Sequence, residues 1–291
     1  MRNSFISLLM LLLLPLDVAA ETVGMPFLRL NAGARGAALA EAVTALPDAE
    51  AASANPAALR TDGRRTLAFT HVAWIQSIRH DYLSALFAGK RSTWAVTAQL
   101  SQADDLERRT GPTTDPLGSF GVYDGAVGLS YARVWTTYLR LGGSVRLIRQ
   151  AIATRTATGA AFDLGALRSL GDYLHLGFAV RNLGGMSALG ESATSLPRSG
   201  RLGLSYTRLP HLLVSGEIQR ARGSSISLHL GAEWTATRRL TLRTGYQTTD
   251  SRHLSAGLGL KTERWSVDYA FVPFDSGLGE AHRLSLQLHR H

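Results

Sequence analysis

The chain contains no cysteine and only two lysines among its 291 residues. The missing thiol excludes disulfide scaffolds, thiolate metal sites, cysteine nucleophiles and lipoprotein anchoring together. Charged residues are scarce too, at 18% against about 25% in a typical soluble domain. Beyond residues 5–16 no apolar run approaches the roughly 18 residues a spanning helix needs, so a helical membrane bundle is excluded. Disorder is excluded from the other side. Hydrophobic residues make up 45% of the chain, they are patterned, and mean hydropathy is +0.01. Lys+Arg number 31 against 22 Asp+Glu, a formal charge of +9, and 29 of the 31 are arginine. That balance favours anionic partners or headgroups without choosing among them.

The N-terminus reads as an address. Met1-Arg2-Asn3 is a short basic region, Ile6–Leu16 an apolar stretch, and Asp17-Val18-Ala19-Ala20 ends in small residues of the kind a signal peptidase reads. Residues 1–20 are therefore expected to be a cleaved signal peptide, directing the chain to the outer membrane of a Gram-negative cell.

From about Leu67 the sequence repeats one pattern, large apolar residues alternating with small or polar ones, then a turn. Ile226, Leu228, Leu230 and Trp234 alternate with Ser225, Ser227, His229 and Glu233; Leu284, Leu286 and Leu288 alternate with Ser285, Gln287 and His289. Period two is the strand period, because successive side chains leave opposite faces of the pleat. Fourteen such segments fall near 65–73, 79–88, 93–101, 123–133, 139–149, 158–168, 173–182, 199–207, 212–220, 224–234, 240–246, 253–260, 265–271 and 281–288. Most have the length that crosses a bilayer at a tilt. Every second connection is a tight turn of four or five residues and the others are mostly longer, with 221–223 breaking the rule. A soluble sandwich gives no reason for that alternation, whereas a membrane barrel does.

Polarity points the same way. The second face holds Gly, Ser, Ala and Thr with Arg140, Arg146, Asp163, Arg181, Glu217, Glu233, Arg243 and Asp268. An arginine facing lipid at the midplane costs about 2–4 kcal/mol, so these charges are expected to line the lumen. Trp94, Tyr131, Tyr206, Trp234, Tyr246, Trp265 and Phe271 sit near the ends of apolar faces, where interfacial girdles belong. The fold class is thus all-β: a 14-stranded antiparallel transmembrane β-barrel over 65–291, closed because an open edge in hydrocarbon would leave backbone groups unpaired.

Residues 21–64 show no strand alternation. Ala34–Leu46 suggests a short helix stopped by Pro47, and Asn55-Pro56-Ala57 a turn-like break. The small lumen-facing residues leave volume, which favours a hatch folded inside the barrel over a periplasmic tail. Phe27-Leu28-Arg29-Leu30, Gly33-Ala34-Arg35-Gly36-Ala37-Ala38 and Asn55-Pro56-Ala57-Ala58-Leu59 resemble the start of the PorV/PorQ family of type IX secretion-associated outer-membrane proteins. Val267-Asp268-Tyr269-Ala270-Phe271-Val272-Pro273 and His282-Arg283-Leu284-Ser285 resemble its end. The family looks related to the FadL fatty-acid channels. The resemblance implies a fourteen-stranded barrel with an N-terminal hatch, marks Gly33, Arg35, Asn55, Pro56 and Ala57 as hatch-motif residues, and implies secretion-system proteins or secreted cargo domains as partners. The alternative it leaves open is a FadL-like passive transporter of a hydrophobic small molecule.

Catalytic chemistry is not legible. Gly223-Ser224-Ser225-Ile226-Ser227 lacks the second glycine of a nucleophile elbow, Gly33-Ala34-Arg35-Gly36 lacks the lysine of a phosphate loop, and the nine histidines show no ligand spacing. No enzyme activity, metal, cofactor or nucleic-acid partner is expected. Outer-membrane lipid is.

Overall fold

In a computed structural model, residues 23–112, 115–190, 194–249 and 251–290 are described. The expected signal peptide and His291 lie outside them. The strands are β1 (Arg65–Ala73), β2 (Arg79–Ala88), β3 (Ser92–Arg108), β4 (Gly118–Thr136) and β5 (Leu139–Ile152). There follow β6 (Arg155–Ser169), β7 (Leu174–Met186), β8 (Ser199–Tyr206), β9 (Leu212–Ala221) and β10 (Ser227–Thr235). The last four are β11 (Leu240–Thr249), β12 (Arg252–Lys261), β13 (Trp265–Pro273) and β14 (Glu280–Arg290). Each pairs antiparallel with its sequence neighbours, and β1 pairs with β14 from Arg65↔Arg290 to Ala73↔His282, closing the barrel.

The outward face is the greasy one. Leu147, Leu254, Val127 and Leu230 are each more than half exposed, while Thr70, Ser130, Ser205 and Ser285 are buried. A packed soluble core would invert that distribution. One end carries the short turns and, in outer-membrane barrels, faces the periplasm; the other carries the loops. Trp94, Tyr206, Trp234 and Trp265 lie exposed at the turn end, and the half-buried Tyr131 ring lies 4.4 Å from that of Trp94. Tyr246 and Phe271 lie toward the loop end.

Several strands run beyond their sequence-based ends. The long connection expected between β3 and β4 is mostly strand: β3 has 17 residues and β4 has 19. Asp104, Asp105 and Glu107 therefore belong to β3, the first two at a bulge and Glu107 opposite Ser119, and a two-residue hairpin joins β5 to β6. These overhangs clear the apolar band, so polar residues occupy both faces and the period-two signal disappears.

Residues 23–64 fill the lumen. They start at the loop end, where Val23 bridges Ser195, and leave at the turn end into β1. The helix is shorter than expected, one turn at Ala34–Ala38 (α1). The reason is tertiary. Ala40 and Glu41 adopt positive φ, the Ala40 amide donates to the Ser255 hydroxyl, and Glu41 meets an arginine of the wall. Wall glycines permit the close approach: a Cβ on Gly177 would meet the Thr44 carbonyl, and one on Gly165 the Asn55 side chain.

Candidate functional site

Three layers of polar contacts hold the hatch. At the turn end Arg35 of α1 donates to Asp48 (2.8 Å) and to Glu233 (2.7 Å) on β10. Glu233 also accepts from Arg243 (2.7 Å), which donates to Asp268 (2.6 Å). This chain lines a polar cavity of about 390 Å³ beside Arg60 and Gln287. Burial works against the Asp48 carboxylate, but the charges of Arg35 and Arg60 hold it below the usual range.

The middle layer is anchored by Asn55. Its amide donates to the carbonyls of Thr44 (2.8 Å) and Ala166 (3.1 Å), and its oxygen accepts from the Ala57 amide (3.0 Å), capping a single turn at Pro56–Ala58. Pro56 suits the first position of such a turn because its missing N–H would go unpaired there. Glu217 accepts from the amides of Val43 and Thr44, and Arg140 donates to the Leu59 carbonyl. Glu50 lies nearby, bonded to no cation among the described residues and accepting from Thr70 (2.7 Å) and Gln287 (3.1 Å). Burial pushes it up to about 8, and the charges of Asp48 and Asp268 add to the shift.

Toward the loop end, the wall reaches in with arginines. Arg181 donates to the Leu28 carbonyl (3.0 Å) and Arg201 to that of Arg29 (3.3 Å). Arg283 donates to the carbonyl of Asn31 (2.6 Å) and to Glu41 (3.1 Å). Burial disfavours the Glu41 charge, yet Arg283, Arg252 and Arg201 keep it below the ordinary carboxylate range. Arg146 binds Asp163 (2.7 Å) and Asn182 (2.6 Å). A bulge makes this cluster: Arg181 and Asn182 both stand opposite Asp163, and Asn182 takes φ 58°. Asparagine tolerates that left-handed conformation.

Above this layer is a second cavity, about 380 Å³, between the hatch and the wall. Pro26 and Leu30 of the hatch face Trp74, Ile226 and Phe274 across it. The Trp74 and Phe274 rings meet edge to face at 5.1 Å, and the Arg252 guanidinium lies 5.3 Å and 5.9 Å from their centroids. Arg252 makes no side-chain hydrogen bond or ion pair among the described residues, so its donors are available to the cavity. The volume falls within the 300–1,000 Å³ of small-molecule sites, and the apolar patch stands against a polar rim that includes Arg29, Glu41, Arg201, His229 and Arg252. Beside it, β12 and β13 stay in register only from Ala256↔Phe271 to Lys261↔Ser266. The wall is least tied there.

The fold is that of FadL-like outer-membrane barrels. The toluene transporter TodX of Pseudomonas putida superposes with a TM-score of 0.65 at 14% identity, covering 92% of this chain and 97% of its own. The CymD monoaromatic hydrocarbon channel gives 0.65 at 12% identity, covering 89% and 96%. A Pseudomonas aeruginosa FadL homologue gives 0.62 at 13%, covering 88% and 97%. No family model and no curated protein matches the sequence. These neighbours are channels and transporters rather than enzymes, and none supports the PorV/PorQ resemblance or a link to type IX secretion.

The eight charged wall residues singled out from the sequence lie around residues 23–64, and Arg35, Asn55 and Pro56 are in contact with the wall. Gly33 and Ala57 make backbone contributions, Gly33 packing on Glu50 and Ala57 donating to Asn55. Sequence reasoning missed Arg201 and Arg283, although both carry the inward signal of the same alternation. It also missed Trp74, Phe274 and Glu41, which carry none. Among the described residues no group of three His, Asp or Glu side chains is placed to hold a metal.

Proposed function

We propose that this protein is a passive outer-membrane channel for a hydrophobic small molecule, gated by its hatch. The cavity floored by Trp74 and Phe274 carries this reading, because it sets an aromatic patch at the loop end, against the segment that must move for passage. The substrates of the structural neighbours TodX and CymD, toluene and monoaromatic hydrocarbons, agree in class with such a patch. The turn-end cavity is lined by ion-paired side chains, whereas the loop-end cavity sets aromatic and aliphatic groups beside polar ones. A molecule leaves this cavity either past a displaced hatch or beside the short β12–β13 ladder.

The test is uptake of a labelled monoaromatic hydrocarbon by intact Gram-negative cells expressing the protein, with Trp74→Ala and Phe274→Ala as variants. Uptake above vector control, reduced at least fivefold in the double variant with the folded barrel unchanged in heat-modifiability gels, supports the reading. Uptake equal to vector, with secretion components or cargo domains captured from native outer membrane, would replace it with the type IX alternative.

A further inference from the structure

Arg65 and Arg290 are register partners across the seam where β14 closes on β1. Alternation places both on the lipid-facing side, in line with the exposed Leu67 and Leu288 two residues further in. Like charges set directly opposite one another on a sheet repel. Neither arginine has a carboxylate partner among the described residues. A third cation is close, since the Arg264 carbonyl accepts from the His289 amide. Next to the seam is a concavity of about 780 Å³ lined by Arg64, Arg238, Arg239, Lys261, Arg264 and Trp265, with Glu263 as its one carboxylate.

We propose that this seam binds the phosphate of an anionic phospholipid in the periplasmic leaflet. Guanidinium forks match phosphate oxygens in pairs, and an anion between Arg65 and Arg290 turns their repulsion into a clamp. Below the cations the wall is apolar: Phe87 is the register partner of Arg65 on one side, and Trp265 that of Leu288 on the other. The ligand must therefore bring a charged head and a greasy tail together, which free phosphate does not. The scarcity of carboxylates disfavours a zwitterionic head, whose ammonium would find nothing to pair with. Arg133 and Arg168 repeat the motif at the same end, each on the outer face beyond Tyr131 or Leu164. Basic residues at a membrane surface each attract anionic lipid, so a cluster selects strongly.

The experiment uses the full chain, delipidated in a neutral detergent and examined by native mass spectrometry with added phosphatidylglycerol or phosphatidylcholine of the same acyl chains. Phosphatidylglycerol is expected to be retained at least tenfold more strongly, and Arg65→Gln/Arg290→Gln to reduce that preference below threefold. Arg290→Gln alone, which lifts the repulsion without emptying the rim, should give an intermediate value if the double variant fails to fold. Equal retention of the two lipids by the wild type overturns the proposal. So does a preference that survives the variants, or displacement of the lipid by millimolar inorganic phosphate, which would make this a site for the free anion.

Discussion

Leu228 is half exposed on the outer face of β10, while the hydroxyl of Ser227, one residue earlier, bonds His229 inside the barrel at 2.8 Å. Arginine at these adjacent positions therefore meets opposite solvents. Leu228→Arg is expected to cost up to about 2–4 kcal/mol, depending on its depth in the bilayer, and to deplete the heat-modifiable folded form. Ser227→Arg points into the loop-end cavity and should assemble near normally. Equal depletion in gels of the two variants would refute the assigned facing. Asn55 makes a different kind of argument. It is fully buried and satisfies three backbone groups, so Asn55→Ala strands two carbonyls and an amide at about 1–3 kcal/mol each. The expected result is a hatch cleaved readily by added protease within a barrel that stays folded.

At the scale of the element, the hatch is secured by hydrogen bonds rather than by a large apolar core. Its dry contacts with the wall are small clusters, such as Ala34, Ala37 and Ala38 against Ala270, Val272 and Ala281. Glu50 makes that attachment depend on pH. Its carboxyl binds a proton more tightly in the folded protein, at about 8, than at the ordinary 4.5. The folded state therefore holds more protons across that interval, and stability falls as pH rises from about 4.5 to about 8, levelling beyond. Protease sensitivity of the hatch should increase from pH 5 to pH 9, and Glu50→Gln should flatten the profile. A slope that Glu50→Gln leaves unchanged would assign the effect to another group.

At the scale of the molecule, the barrel is a wall and the hatch is its stopper. Removing residues 23–59 would leave Arg181, Arg201 and Arg283 facing water instead of hatch carbonyls, and Glu217 facing water instead of hatch amides. Charged groups tolerate that exchange, so the closed fourteen-stranded wall should still assemble. In planar bilayers the full chain should conduct ions poorly and the deletion variant well. Equal conductance would mean that the hatch does not block the lumen.

The strand count, the facing and the inward position of the charged residues were legible because lipid outside and polar groups inside impose period two on every crossing, a constraint local enough to read one strand at a time. Arg201 and Arg283 obeyed the same rule and needed only to be counted. Where a strand leaves the apolar band, as in the upper parts of β3 and β4, the two faces meet the same solvent and the pattern ends before the ladder does. The single turn of α1 was hidden for another reason: Ala40 and Glu41 exchange helical bonds for Ser255 and Arg283, partners more than two hundred residues away. Trp74 and Phe274 meet only because β14 closes on β1 and brings distant loops to one rim. Alternation, set by the solvent on each side of the wall, was decided by the sequence alone. The cavity and the arginine seam are products of barrel closure, which joins the two ends of the chain and has no local signature.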